Sequence, residues 1–298
     1  MTEHSLLKWT HRTQQGSERV ENKDYFSIIE SDLGTWIFVI DVSTSSNATT
    51  ILAKQFSENF HSCLQDFLKR GDLLLSENQS QEKYKWILQQ AFNATKKELK
   101  IGVASFLSLY RCKRSSRVLG FCAGDCRLGL LNNKSIQWLS PVHTGANPLG
   151  NDFETSMKLI PERHILTKSL NLRRNFEPET FELVASPNDI FVIATDGFWM
   201  ELNEVEQQSF INESDAGLVE KPFVDDTSVL LVTWSEADVE QTFRPKFESG
   251  LSPEFESSPN NLIKQNDNLL VINGRSSDFA GNENIEKVAT KTENKNEY

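Results

Sequence analysis

The chain has 298 residues, of which 38% are hydrophobic and 24% are charged, and these values exclude a fibrous or wholly disordered protein. Its formal net charge of −11 argues against a nucleic-acid-binding surface, because phosphate backbones are bound by clustered Lys and Arg. The sequence contains no apolar run of the roughly 20 residues that span a bilayer and no signal peptide at its start. We therefore expect a cytoplasmic globular protein that binds neither nucleic acid nor membrane.

The composition divides the chain into two parts near Trp234. Residues 1–234 contain apolar runs separated by turn signals, as expected of a folded domain. Residues 235–298 are rich in Ser, Asn, Glu and Lys and show no sustained periodicity, so they cannot bury enough apolar surface to offset the entropy lost on ordering. We predict that this tail is mostly disordered, with the short run 268–273 as a strand that docks on the domain.

The folded part is predicted to combine strands with helices covering one face. Apolar positions at helical spacing predict helices over about 50–69 and 81–99, and a third helix follows Asp196 as far as Phe210. The predicted strands are 36–40, 102–110, 118–122, 128–131, 189–194 and 228–234. Because successive strands are joined by short turns, the pattern favours antiparallel sheets, and hence an α+β sandwich instead of a doubly wound parallel fold.

Aspartates stand at the ends of four of these strands. Asp41, Asp125 and Asp196 each directly follow an apolar strand, and Asp225 comes shortly before the strand 228–234. Carboxylates that converge on one rim repel each other unless a cation is bound, and oxygen ligands favour Mg²⁺ or Mn²⁺. Asp is also common in turns and helix caps, and Asp196–Gly197 alone is typical of a hairpin turn. The fourfold repetition favours a shared metal site.

Segments across residues 8–234 resemble, in order, the motifs of the metal-dependent Ser/Thr protein phosphatases of the 2C type. The matching segments are GSERVENKD (16–24) for R-x-x-N-E-D, the strand ending in Asp41 for D-G-x-G-G, AGDCR (123–127) for A-G-D-S-R, HILTKSL (164–170) for N-x-L-T-R-A-L, IATDGFW (193–199) for S-D-G-L-W and DDTSV (225–229) for D-N-x-T-V. Each match is weak by itself, but the ordered set is specific.

The resemblance implies a four-layer α/β/β/α sandwich with two central antiparallel sheets and a metal-binding cleft at one edge. It implies hydrolysis of phosphoserine and phosphothreonine on proteins by a metal-bound hydroxide, with two Mn²⁺ or Mg²⁺ ions and a third, weaker ion. The implied partners are a phosphorylated protein substrate and a Ser/Thr kinase that opposes the reaction.

The resemblance also assigns roles to individual residues. Asp41, Asp196 and Asp225 are expected to bind the first metal. Asp41 and the backbone carbonyl of Val42 are expected to bind the second, and Asp125 the third.

Two further residues are implied to act on the substrate. Arg19 is expected to hold the substrate phosphate, since the guanidinium fork matches its oxygens. Asp24 is expected to accept hydrogen bonds from metal-bound water or to contact a metal. For His143 and His164, near the family's flap, a surface or packing role is expected instead of acid catalysis.

The sequence departs from the family at four places, one of which is the segment between His143 and Arg163, which is short for a flap. Lys23 replaces a glutamate that helps the second metal, and an ammonium there competes with the cation. Residues 41–45 lack three glycines of D-G-x-G-G, and residues 102–105 lose hydroxyl groups beside the site. Two hypotheses follow: a divergent working phosphatase, or a phosphatase-like module that binds a phosphorylated partner with little or no turnover. The retained acidic residues favour the enzyme.

Overall fold

The computed structural model describes residues 6–31, 33–43, 51–70, 77–113, 115–133, 135–148, 150, 152–212, 223–235, 264–266 and 269–275. The strands in these ranges are β1 (Leu6–Gln14), β2 (Asp24–Ser31), β3 (Gly34–Val42), β4 (Val103–Cys112), β5 (Arg117–Ala123), β6 (Arg127–Asn132), β7 (Ser135–Trp138), β8 (Leu170–Asn171), β9 (Glu179–Val184), β10 (Phe191–Ala194), β11 (Thr227–Ser235), β12 (Lys264–Asn266) and β13 (Leu269–Arg275). The α-helices are α1 (Leu52–Lys69), α2 (Glu77–Leu99), α3 (Asp196–Trp199) and α4 (Glu204–Asn212).

The strands form two antiparallel sheets. The first sheet has the order β1-β11-β10-β6-β7. The second sheet has the order β12-β13-β2-β3-β4-β5-β9, and β8 pairs with the start of β4. The observed architecture confirms the predicted α+β class.

Three hydrophobic cores define four layers. Side chains alternate along β2, β3 and β4, so that one set faces the first sheet and the other faces the helices. Between the two sheets, Ile28 and Leu107 belong to the same buried cluster as Ile193 and Leu230. On the outer face of the second sheet, Phe38 and Phe106 share a buried cluster with side chains of α1 and α2, which include Phe56, Phe60 and Phe92. On the outer face of the first sheet, α3 and α4 contribute Phe198, Trp199 and Ile211. The layers therefore follow the predicted α/β/β/α order.

The six predicted strands and two long helices are present with small differences in their ends, but six of the described strands were not anticipated: β1, β2, β7, β8, β9 and β12. The single helix predicted after Asp196 is wrong: the chain forms two helices, α3 and α4. Asn203 explains the break, because its Oδ1 accepts the N–H groups of Val205 and Glu206, both at 3.0 Å. The carboxylate of Glu206 accepts the N–H of Asn203 at 2.8 Å in return, which completes a capping box that starts a new helix.

A strand from the predicted tail joins the second sheet. β13 pairs along β2 from Leu269 opposite Ser31 to Arg275 opposite Tyr25, in agreement with the strand predicted over 268–273. Residues 236–263 and 276–298, on which the predicted disorder falls, lie outside the described residues. Among the helices that the structure describes, none has the length and apolar character needed to cross a membrane.

Candidate metal centre

Five aspartates lie at one edge of the sandwich, which we call the acidic rim: Asp24, Asp41, Asp125, Asp196 and Asp225. Strands β3, β5 and β10 end at this edge and strands β2 and β11 begin there, because each neighbouring pair is antiparallel. Asp24 on β2 is the direct cross-strand neighbour of Asp41 on β3, which places their Cα atoms about 4.5–5.5 Å apart. Asp196 begins α3, so Asp196–Gly197 is not a hairpin turn.

Burial raises the pKa values of the two least exposed carboxyls of the rim. Asp24 and Asp125 are only 3% and 5% exposed. Burial, together with the charge of Asp226, raises the pKa of Asp24 to about 7, against hydrogen bonds from Ser228 and Thr195 that lower it. Burial likewise raises the pKa of Asp125 to about 6.

Repulsion by neighbouring carboxylates acts on Asp41 and Asp196. Asp41 and Asp196 are partly exposed. Burial raises the pKa of Asp41 well above its usual value, and the charges of Asp24, Asp196, Asp125 and Asp225 raise it further. The pKa of Asp196 is raised in the same way by burial, then by Asp125 and Asp225. The neighbouring carboxylates therefore lie close enough to Asp41 and Asp196 to disfavour the ionisation of these two side chains.

The carboxylate oxygens of the acidic rim are ligands of the kind that Mg²⁺ and Mn²⁺ prefer. Oδ2 of Asp24 accepts a hydrogen bond from Oγ1 of Thr195 at 2.9 Å, whereas its buried Oδ1 has no hydrogen-bond partner. An unsatisfied buried acceptor within a group of carboxylates is a place where a cation or its water fits. Among the described residues, however, no three acidic, His or Cys side chains are positioned to hold one ion. These carboxylates would have to reorient before three of them could hold one ion.

Arg19 and Asp225, which were assigned to phosphate and to metal, contact each other. Nε of Arg19 donates to Oδ1 of Asp225 at 2.7 Å, and a second guanidinium N–H bonds to the same oxygen. The adjacent Asp226 holds the loop that carries Arg19, since its carboxylate accepts the backbone N–H of Gly16 at 3.0 Å and that of Lys23 at 2.8 Å. The sequence places Asp226 beside Asp225 just before the strand 228–234, in the D-N-x-T-V-like segment, but assigns it no role of its own.

Ser105 supports Asp125 from the neighbouring strand. Its Oγ accepts the backbone N–H of Asp125 at 2.7 Å and that of Cys126 at 2.6 Å. Gly124 precedes them at φ 123°, where a Cβ would clash with Ser105, so this turn requires glycine. Within residues 102–105, Ser105 therefore keeps one hydroxyl beside the site, whereas Val103 and Ala104 have none. Ser105 is also the direct cross-strand neighbour of Asp41. Because direct neighbours point to the same face of a pleated sheet, its side chain lies on the face that carries Asp41.

Trp199 connects Asp125 to the segment that follows the sheet. Its indole Nε1 donates to the backbone carbonyl of Asp125 at 2.8 Å. Its own carbonyl accepts Nζ of Lys158 at 2.8 Å. The guanidinium of Arg127 stacks between two indoles, with its Cζ 4.7 Å from the ring centre of Trp199 and 5.0 Å from that of Trp138. The sequence signal for these contacts is limited to the A-G-D-S-R-like and S-D-G-L-W-like segments.

The remaining predicted residues lie as follows. Val42 is the buried last residue of β3, directly after Asp41. His143 is 3% exposed; its Nδ1 accepts the N–H of Gly124 at 3.4 Å and its Nε2 contacts Glu179 at 3.0 Å. His164 is exposed. These positions agree with packing and surface roles for the two histidines.

Comparison with known proteins identifies similar folds. The Ser/Thr phosphatase of S. agalactiae superposes with a TM-score of 0.59 at 16% identity, over 76% of this chain and 99% of that one. Stp1 of Staphylococcus aureus superposes with a TM-score of 0.60 at 17% identity, over 78% and 97%. The catalytic domain of the Ser/Thr phosphatase PstP, solved with two manganese ions, gives 0.54 at 15% identity, over 78% and 100%. No family model and no curated protein matches the sequence.

Proposed function

Because the chain has the fold of these bacterial Ser/Thr phosphatases, we propose that it hydrolyses phosphoserine and phosphothreonine in proteins in a metal-dependent reaction. The observation that carries the proposal is the acidic rim. Carboxyls from segments far apart in the sequence are gathered at one edge of the sandwich, where burial and their own charges raise the pKa values of Asp24, Asp41, Asp125 and Asp196. Such a concentration of disfavoured charge is expected where a cation belongs.

The residues that would hold the ions are those assigned from the sequence. Asp41, Asp196 and Asp225 would bind one Mn²⁺ or Mg²⁺, Asp41 and the carbonyl of Val42 a second, and Asp125 a third. The structure of PstP with two manganese ions supports the choice of metal. When bound, such ions neutralise the carboxylates, orient a phosphate and lower the pKa of water.

The chain's own side chains would position the substrate and the attacking water. Arg19 would exchange Asp225 for the substrate phosphate, whose oxygens match the guanidinium fork. Thr195 fixes one oxygen of Asp24 and leaves the other open to accept a hydrogen bond from the attacking water. Both residues lie at the edge where the strands present the acidic rim.

The decisive experiment is a Mn²⁺ titration with an aryl phosphate and a phosphopeptide as substrates. We expect Mn²⁺-dependent hydrolysis by the wild type and a loss of about 100-fold or more in Asp41→Asn and in Asp196→Asn, because each removes a charged ligand. Asp66→Asn changes an exposed carboxylate on α1 and should leave the rate unchanged. Equal rates for the wild type and Asp196→Asn would refute the enzymatic function.

A binding module that turns substrate over poorly is the second candidate. It is favoured by the pairing of Arg19 with Asp225 and by the presence of Lys23 next to Asp24. The variant Lys23→Glu separates the two functions. If the wild type binds a phosphopeptide without hydrolysing it and Lys23→Glu becomes active, the chain is a binding module; if the wild type is already active, it is an enzyme.

A further inference from the structure

Three cationic side chains lie around Trp199 and Met200, and we call them the basic cluster: Arg127, Lys158 and Arg163. Nζ of Lys158 donates to the carbonyl of Trp199 at 2.8 Å and lies 5.9 Å from the centre of its ring. Arg127 stacks on the same ring, with its Cζ 4.7 Å from the centre. Arg163 donates a guanidinium N–H to the sulfur of Met200, the next residue. The three cations therefore share one small region of the protein.

The cations of the basic cluster repel one another and lack counterions. Burial lowers the pKa of Lys158, and the charges of Arg127 and Arg163 lower it further. Among the residues that the structure describes, no carboxylate lies within ion-pair distance of any of the three. Within the same residues, the buried Nε of Arg127 has no hydrogen-bond partner. In a chain with a net charge of −11, such a concentration of positive charge indicates a place for an anion.

The basic cluster adjoins the acidic rim. Trp199 donates its indole N–H to the carbonyl of Asp125 at 2.8 Å, and it lies three residues after Asp196, which is about 4.5 Å along α3. Burial raises the pKa of Asp125, and the charge of Arg163 acts against this rise. Nζ of Lys158 is consequently within about 10 Å of the rim. Since an extended peptide spans about 3.3–3.6 Å per residue, a peptide with its phosphoserine at the rim reaches the cluster about three residues away.

Lys158 and Arg163 keep N–H groups for such a ligand. They lie on two short 3₁₀ helices, Thr155–Leu159 and Pro161–His164, and both are partly exposed. An ammonium has three N–H donors and a guanidinium has five, whereas the thioether that accepts from Arg163 is a weak acceptor. Arg127 is buried and adds positive charge without needing to contact the ligand. A phosphate group, with nearly two negative charges and three acceptor oxygens, matches this set of donors.

We propose that the basic cluster binds a second phosphate group of the substrate, so that the preferred substrates are peptides phosphorylated at two nearby positions. The inference rests on the proposed phosphatase function and names its preferred class of substrate. The phosphate at the basic cluster is bound and not hydrolysed there, because the carboxylates that would hold the metal ions lie at the rim. A glutamate at the second position has a single charge and two oxygens, so it is a weaker ligand for the cluster.

The first test measures binding without turnover. Fluorescent peptides carry a phosphonate analogue of phosphoserine, which cannot be hydrolysed, either at one position or also at a second position roughly two to four residues away on either side. Fluorescence anisotropy in Mn²⁺ measures their affinities. At one of these spacings we expect the peptide with two phosphonates to bind about tenfold more tightly, and the preference should shrink in about 0.5 M NaCl, which screens exposed charges. Equal affinities at every spacing would overturn the inference, whether or not the chain is an enzyme.

Variants of the basic cluster assign the preference to these side chains. In the double variant Lys158→Gln/Arg163→Gln, the ratio of the two affinities should fall from about ten to about one. Because both peptides bind the same protein, a general loss of folding or of metal binding weakens both and leaves the ratio unchanged. Lys158→Arg keeps the charge and should retain the preference, and Lys85→Gln, at an exposed position on α2, is the matched control. An undiminished ratio in the double variant would exclude the basic cluster.

Hydrolysis distinguishes this inference from the proposed function. The substrates carry one phosphoserine and, at the second position, serine, glutamate or the phosphonate. We expect kcat/KM to be about tenfold higher with the phosphonate than with serine, and intermediate with glutamate. If no peptide is hydrolysed while the difference in affinity persists, the proposed function is refuted and the binding role of the cluster stands. Hydrolysis of all three peptides at one rate would refute the inference and leave the phosphatase function. Equal rates with glutamate and phosphonate would overturn the assignment to phosphate.

Discussion

Arg19 and Asp225 form an ion pair in which Nε of Arg19 lies 2.7 Å from Oδ1 of Asp225. The two side chains are 23% and 27% exposed, so either can exchange its partner without unfolding of the surrounding strands. Oδ1 of Asp225 also accepts the backbone N–H of Asp226 at 2.8 Å. A cation that recruits Asp225 and a phosphate that recruits Arg19 must both displace the same pair, so binding of one favours binding of the other.

Replacing Arg19 by alanine is expected to separate these two effects. Asp225 is released, so Mn²⁺ should bind at lower concentration in Arg19→Ala. The KM for a phosphopeptide should rise about ten- to hundredfold, since hydrogen bonds between charged groups contribute about 1.5–3 kcal/mol. Calorimetric Mn²⁺ titration and steady-state kinetics measure the two quantities. Arg117→Ala breaks a pair with Glu182 far from the rim and should change neither. An unchanged Mn²⁺ affinity in Arg19→Ala would show that the pair does not compete with the metal.

The raised pKa values make the stability of the metal-free protein depend on pH. In an unfolded chain, Asp has a pKa of about 3.9, whereas the pKa is about 7 for Asp24 and about 6 for Asp125 in the folded protein. The folded state therefore binds more protons between these limits, and the free energy of unfolding falls as the pH rises through about 4 to 7. In EDTA, the melting temperature should drop by several degrees from pH 5 to pH 8.

Two controls assign this pH dependence to the rim. Asp24→Asn should flatten the fall in melting temperature, and Asp66→Asn should leave it as in the wild type. Saturating Mn²⁺ should reduce the fall as well, because it neutralises the carboxylates. A melting temperature that rises from pH 5 to pH 8 equally in the wild type and in Asp24→Asn would contradict the electrostatic account.

The position of the acidic residues could be predicted because it follows from strand direction. Apolar runs predict β3, β5 and β10, and all three strands end at the same edge of the sandwich. Asp41 lies in the last two residues of β3, and Asp125 and Asp196 lie two residues after the ends of β5 and β10. An aspartate at that point is fixed by the backbone, whatever its side chain contacts. The division of the helices after Asp196 was missed since Asn203 was not recognised as a cap.

The side-chain contacts within the site could not be predicted in the same way. Neither the pairing of Arg19 with Asp225 nor the bond from Trp199 to Asp125 follows from sequence spacing, because both join segments that meet only after the two sheets have packed. Strand β2 was missed although it is apolar, and its pairing with β13 depends on an edge that exists only in the folded sheet. These features could not be predicted from the sequence because each depends on tertiary contacts between distant segments.

Trp199→Phe is expected to weaken metal binding through Asp125. The phenyl ring can still stack on Arg127, but the buried carbonyl of Asp125 loses the indole N–H that donates to it at 2.8 Å. An unsatisfied buried carbonyl costs about 1–3 kcal/mol, so we expect a lower melting temperature and a higher Mn²⁺ midpoint. Trp138→Phe is the matched control, since Trp138 also stacks on Arg127 and makes no such bond to Asp125. If both variants shift the Mn²⁺ midpoint equally, the effect comes from stacking and not from the hydrogen bond.

Ser105→Ala is expected to disturb the rim more than its small change in volume suggests. Its hydroxyl accepts two backbone N–H groups, from Asp125 and Cys126, and alanine leaves both donors buried without a partner. We expect a lower melting temperature together with a Mn²⁺ midpoint raised about tenfold or more, because the turn that carries Asp125 loses its support. Ser108 provides the comparison on the same strand: its hydroxyl bonds to Tyr84 on the helix-facing side. Ser108→Ala should lower the melting temperature without moving the Mn²⁺ midpoint. A midpoint that stays at the wild-type value in Ser105→Ala would mean that Asp125 keeps its position without this hydroxyl.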